Sequence, residues 1–158
     1  MKNSNRGVTL IELIVVVVIV GLLASIAVPT YRQYVLRANR TEARAALLAL
    51  ATAQEKYYVT CNSYVATLDS TKSDVCPGKT GSLSFPSASE KGYYTIAVTG
   101  ADDDAAGNPQ SWTATATAAS GQPQIDDTRC RVFQLTSTGI KTAKNAADVA
   151  NDGECWSK

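Results

Sequence analysis

From Val8 to Val28 the chain reads VTLIELIVVVVIVGLLASIAV, a run that is apolar on every side of a helix and broken by a single carboxylate, Glu12. At helical rise this length matches a bilayer hydrocarbon core of about 30 Å, so it predicts a transmembrane helix over 8–28. Beyond Pro29 the pattern changes. The stretch YRQYVLRANRTEARAALLALATAQEKYYV has no internal Gly or Pro and is rich in Ala, Leu, Arg and Glu, so the helix is predicted to continue as an amphipathic segment over 29–60. Its apolar residues occupy two sides: Tyr34, Val35, Ala38, Ala45 and Ala49 share one, while Leu36, Leu47 and Leu50 lie well round from it. A helix apolar on two sides needs more than one partner.

Between Cys61 and Lys91 the chain is rich in Ser, Thr, Gly, Pro and Asp and reads as an irregular connector. The period then switches to two. Tyr94, Ile96 and Val98 alternate with Thr95, Ala97 and Thr99, as Trp112, Ala114 and Ala116 do with Thr113, Thr115 and Thr117, and each set predicts a half-buried strand. Gly100–Gln110 joins them as a hairpin loop. Arg131–Leu135 predicts a third strand, Ser137-Thr138-Gly139 a turn, and Ile140–Thr142 a short fourth strand. The expected fold class is α+β: a long N-terminal helix, transmembrane in its first half, packed on an antiparallel meander of three to four strands, with 61–158 completing a globular head.

A chain of 158 residues can close one modest core. The four cysteines, Cys61, Cys76, Cys130 and Cys155, include no C-x-x-C pair, and no histidine is present, which argues against zinc chemistry. Downstream of an export segment they predict disulfides. Three connectivities are open. Local loop closure favours Cys61 with Cys76 and Cys130 with Cys155. Without histidine, a Gly-x-Ser-x-Gly turn or a phosphate loop, the sequence offers no catalytic constellation and implies no cofactor. Asp102, Asp103 and Asp104 are the one weak candidate for calcium, against the reading of a solvated turn.

Met1–Gly7 is short and polar, with Lys2 and Arg6 unopposed by acid, as in the n-region of an export signal. Ser25-Ile26-Ala27 offers an alternative small-x-small cleavage site. Arg32, Arg37, Arg40 and Arg44 follow the span and outnumber the leader's charges, which by the positive-inside rule places the N-terminus outside. The cysteines require the opposite orientation, with the head on the oxidising side.

The segment Arg6-Gly7-Val8-Thr9-Leu10-Ile11-Glu12-Leu13 resembles the class III leader and N-terminal helix of type IV pilins and type II secretion pseudopilins. The resemblance implies that residues 1–7 are a prepilin leader, that a prepilin peptidase cuts between Gly7 and Val8, and that the Val8 amine is methylated; the usual residue after the cut is Phe. It also implies that Glu12 pairs with an N-terminal ammonium during assembly, and that the helix between Gly21 and Pro29 melts on polymerisation. Tyr31–Glu42, Glu55-Lys56-Tyr57-Tyr58 and Leu135–Gly139 resemble minor pilins of the PilE type, implied to prime assembly or sit near the tip.

Physics singles out Glu12 independently, since a carboxylate in an apolar span costs about 3 kcal/mol and calls for a partner. The expected partners are other pilin subunits, the prepilin peptidase, the inner-membrane assembly platform and the membrane. The expected route runs from inner-membrane precursor to surface pilus, in adhesion, twitching motility or DNA uptake. A type II secretion pseudopilin and a DNA- or surface-binding pilin-like receptor stand as alternatives. Nucleic acid is not the expected partner: loss of Lys2 and Arg6 from the 15 basic residues leaves 13 against 14 acidic ones. The Arg37, Arg40 and Arg44 stripe is a local exception, expected to meet neighbouring subunits or lipid.

Overall fold

A computed structural model describes residues 8–69, 82–105 and 107–157. The chain divides into two compact units, one ending at Val35 and one from Leu36 to Lys158. Helix α1, Leu10–Cys61, contributes to both. In the first unit it carries the apolar run, and it is long and apolar enough to cross a membrane by length and composition.

In the second unit α1 buries Leu36, Arg40, Ala43, Leu47, Leu50, Gln54, Tyr57 and Cys61, a stripe at spacings of three and four. Of the two apolar sides read from the sequence, the leucine side is therefore the one that faces the head's core. Ala38, Ala45 and Ala49 stay exposed. Gln54 survives in this stripe because its side-chain amide behaves like a strand neighbour: Nε2 donates to the Val65 carbonyl at 2.6 Å and Oε1 accepts from the Val65 N–H at 3.1 Å. Both halves of the amide are satisfied, so its burial costs little.

The sheet is an antiparallel meander of β1 (Tyr94–Ala101), β2 (Ser111–Ala118), β3 (Val132–Thr136) and β4 (Lys141–Lys144), in that spatial order. Strand alternation lines one face with Tyr94, Ile96, Val98, Trp112, Ala114, Ala116, Phe133, Leu135 and Ala143, which join the α1 leucines in one core. The registry puts large against small. Ile96 and Phe133 flank Ala116, while Val98 and Leu135 flank Ala114, so the alanines of β2 leave room for side chains from both neighbours. Threonines occupy the other face, where the Gln134 amide bridges Thr115 and Thr142.

The third and fourth strands each begin one residue later than the sequence predicts, and Ile140 is exposed in the turn instead of opening β4. At Gly100 an added Cβ would sit 2.5 Å from the Pro109 ring, so closure of the β1–β2 hairpin requires glycine there. A short helix α2, Asp152–Trp156, was not expected. It is held by side chains: Asp152 accepts from the Ala143 N–H and the Trp156 indole donates to the Thr142 carbonyl at 2.7 Å.

Candidate functional site

Two places in the molecule concentrate polar chemistry against apolar surroundings, one in each unit. In the first unit helix α1 starts immediately after Thr9, whose Oγ1 accepts from the Glu12 N–H at 3.3 Å. Thr9-Leu10-Ile11-Glu12 is the sequence of a capping box, and it puts Glu12 in the first helical turn, where the positive end of the helix dipole favours a carboxylate. The T-x-x-E spacing is legible in the sequence, although the apolar run around it masks the signal. Val8 lies four residues before Glu12; Gly7 and the rest of 1–7 lie outside the described residues.

The large apolar side chains of this unit are exposed without relief: Leu10 at 77%, Val17 at 61% and Ile26 at 71% are representative. Such a surface needs lipid or other apolar helices to cover it. The helix runs through both Gly21 and Pro29. Pro29 removes the N–H that would reach the Ser25 carbonyl, while the hydroxyls of Ser25 and Thr30 turn back onto the carbonyls of Leu22 and Ile26 at 2.7 and 2.9 Å. A Cβ at Gly21 would touch nothing within 4 Å, so nothing in the single chain demands glycine there.

In the second unit Asp127 collects five hydrogen bonds. Arg40 reaches it twice, through Nε at 2.7 Å and Nη2 at 3.0 Å; Gln124 Nε2 donates at 3.0 Å and the backbone N–H groups of Arg129 and Cys130 at 3.1 Å. Arg40 is 4% exposed and Asp127 3%. The expectation of an exposed Arg37, Arg40 and Arg44 stripe is therefore corrected at its centre. Arg40 turns inward because a bidentate carboxylate 87 residues away satisfies its guanidinium. Burial holds the Tyr94 phenol well above its usual range, and the Asp127 carboxylate adds to the shift.

Cys130 and Cys155 form a disulfide, as expected, with their Cα atoms 5.6 Å apart. Cys61 is disulfide-bonded, and Cys76, its expected partner, lies outside the described residues. The three aspartates of the β1–β2 loop do not converge on a common point, and two of them are drawn into the loop's own closure: Asp102 accepts from the Ser111 hydroxyl, and Asp104 from the Asn108 N–H at 2.9 Å and its side-chain amide. Among the described residues no cluster of three or more His, Cys, Asp or Glu could hold a metal.

The family profile described as type IV minor pilin ComP, DNA uptake sequence receptor, matches residues 29–134, more than half of the chain. The chain belongs to this family of type IV pilins. The prokaryotic N-terminal methylation motif matches residues 2–28 of the same pilin. The type IV major pilin protein PilA of Myxococcus xanthus is 48% identical over 54 residues, 34% of this chain and 24% of that protein. The type IV major alpha-pilin of Moraxella bovis is 31% identical over 105 residues, 66% of each chain. A solved type IV pilin from Shewanella oneidensis is similar at 17% identity with a TM-score of 0.39, over 67% of this chain and 89% of that one. The matched segment spans about a quarter of the first of these relatives. The pilin family is structural, and the apolar α1 segment with its methylation motif marks a membrane-anchored subunit of a pilus.

Proposed function

We propose that the chain is a minor pilin whose head captures DNA for uptake at the cell surface. It is cut between Gly7 and Val8 by a prepilin peptidase and methylated on Val8. It waits in the inner membrane with its N-terminus cytoplasmic and its head periplasmic, and the assembly platform then passes it into the filament. Leader 1–7, span 8–28, helical continuation 29–60 and head residues 61–158 are the working divisions, and the chain has no enzymatic part. Glu12, in the first turn of α1, pairs with the Val8 ammonium of its own or a neighbouring subunit.

The observation that carries this reading is the match of 29–134 to a family described as a DNA-uptake-sequence receptor. It outweighs the near-neutral net charge, because net charge governs long-range steering whereas contact depends on local geometry. The test compares sheared pili from cells carrying the native chain and the Gly7→Leu variant, whose side chain does not fit a glycine-only peptidase pocket. Variant precursor is expected to remain in the membrane, and the sheared pili to bind less labelled duplex. Pili that contain the mature chain yet bind no more DNA than pili without it would overturn the proposal.

A further inference from the structure

Four of the five arginines of the second unit, Arg37, Arg40, Arg44 and Arg129, line a concave surface of about 330 Å³ together with Glu154 and Ser157. All six lie in the second unit. Their charges do not cancel. Arg40 is neutralised by Asp127, and Arg129 Nη1 donates to Glu154 Oε1 at 2.9 Å. Arg44 donates only to carbonyls, those of Arg40 at 3.4 Å, Trp156 at 3.5 Å and Ser157 at 2.9 Å, which leave its charge standing. Arg37 is exposed and has no carboxylate in ion-pair range among the described residues. Four guanidinium groups thus stand against two carboxylates, Asp127 and Glu154, at one cleft.

Positive charge held in a concavity at the protein surface is relieved by an anion, and the planar guanidinium fork fits phosphate oxygens two at a time. We infer that the cleft between Arg37, Arg44 and Arg129 grips the phosphate backbone of the captured DNA. This rests on the DNA-capture reading above and adds where the strand is held. A strand is favoured over a lipid headgroup because all four arginines fall inside the 29–134 segment matched to the receptor family. Phosphate contacts position a duplex and make binding salt-dependent, but they carry no sequence information. The cleft is therefore an anchor, and sequence readout belongs to other surfaces of the head. Glu154 competes with the phosphate for Arg129.

The mature full-length chain in a nonionic detergent, titrated against a fluorescent duplex between roughly 50 and 200 mM salt, tests this. The Arg37→Gln/Arg129→Gln double variant is expected to lose about tenfold or more in affinity at the low end. Its log–log salt slope should flatten by about one to two, at about 0.9 for each phosphate no longer neutralised. Glu154→Gln is expected to bind severalfold tighter, a gain that misfolding cannot produce, and unchanged affinity there counts against the inference. A native chain that binds no duplex removes both the DNA reading and the anchor. Native binding with an unaltered double variant removes the anchor alone. Mixed micelles doped with an anionic phospholipid form the second arm: if the double variant loses the lipid and keeps the DNA, the cleft is a headgroup site and the inference fails.

Discussion

Between Leu10 and Tyr34 the apolar side chains stand exposed on all sides of helix α1, whereas from Leu36 onward the same helix turns a single stripe into a core and answers the buried Arg40 and Gln54 along it. Glu12 sits at the helix entry with its own backbone N–H capped by Thr9. Arg40 and Gln54 sit inside the stripe with partners from loops, Asp127 and Val65. One stretch of secondary structure thus carries two binary patterns, and only the second is completed within the chain. The first calls for lipid or for copies of itself. Substitutions in the two regions should then fail in different assays.

Glu12→Ala gives the sharpest separation. On the proposed pairing with the Val8 ammonium, its loss leaves that charge unpaired in the packed filament at a cost of a few kcal/mol, which at about 1.4 kcal/mol per tenfold predicts roughly a hundredfold loss of subunit from sheared filaments. Membrane insertion and the urea midpoint of the head should stay unchanged. Undiminished variant in the sheared fraction would show that the two regions are not divided in this way. Asp127→Ala is the converse. It leaves Arg40 buried without its carboxylate and should lower the head's unfolding free energy by about 3–5 kcal/mol, read from tryptophan fluorescence in urea. Processing behind Gly7 should be untouched; a head of native stability would mean the pair contributes nothing.

The smallest effect is expected at Tyr94, whose hydroxyl is buried beside Gln124 without a hydrogen bond of normal geometry among the described residues. Tyr94→Phe should be neutral or stabilising by up to about 1 kcal/mol. Because the folded phenol titrates above the unfolded one, the native state holds its proton longer. Stability from this group is present below about pH 10 and lost as pH rises past it. The variant should flatten that alkaline decline, and an identical decline in both proteins would assign it to other groups.

The strands were legible because side chains in a strand alternate, so Tyr94-x-Ile96-x-Val98 announced its buried face without knowledge of its neighbours. The apolar anchor was legible from length alone. Arg40 was not. An arginine in a helix rich in Arg and Glu reads as solvated, and the carboxylate that reverses this comes from a loop after β2, far along the chain. Helix α2 escaped for a related reason: its five residues have little helical preference of their own and are fixed by Ala143, Thr142 and the Cys130–Cys155 bond. The two apolar sides of α1 were visible, but which of them joins the core is settled by the sheet it shares that core with, which local sequence does not contain.

A filament subunit is also a mechanical part, and the Arg40–Asp127 tie can be considered as a fastening under load. Tension entering the head along α1 meets this tie at a carboxylate that also accepts the Cys130 N–H. Cys130 is covalently joined to Cys155. A pull on Arg40 is therefore passed, through Asp127 and the three residues that follow it, to the mouth of a covalently closed loop, so the load reaches the head where β3, β4 and α2 are already joined by a bond that tension does not loosen.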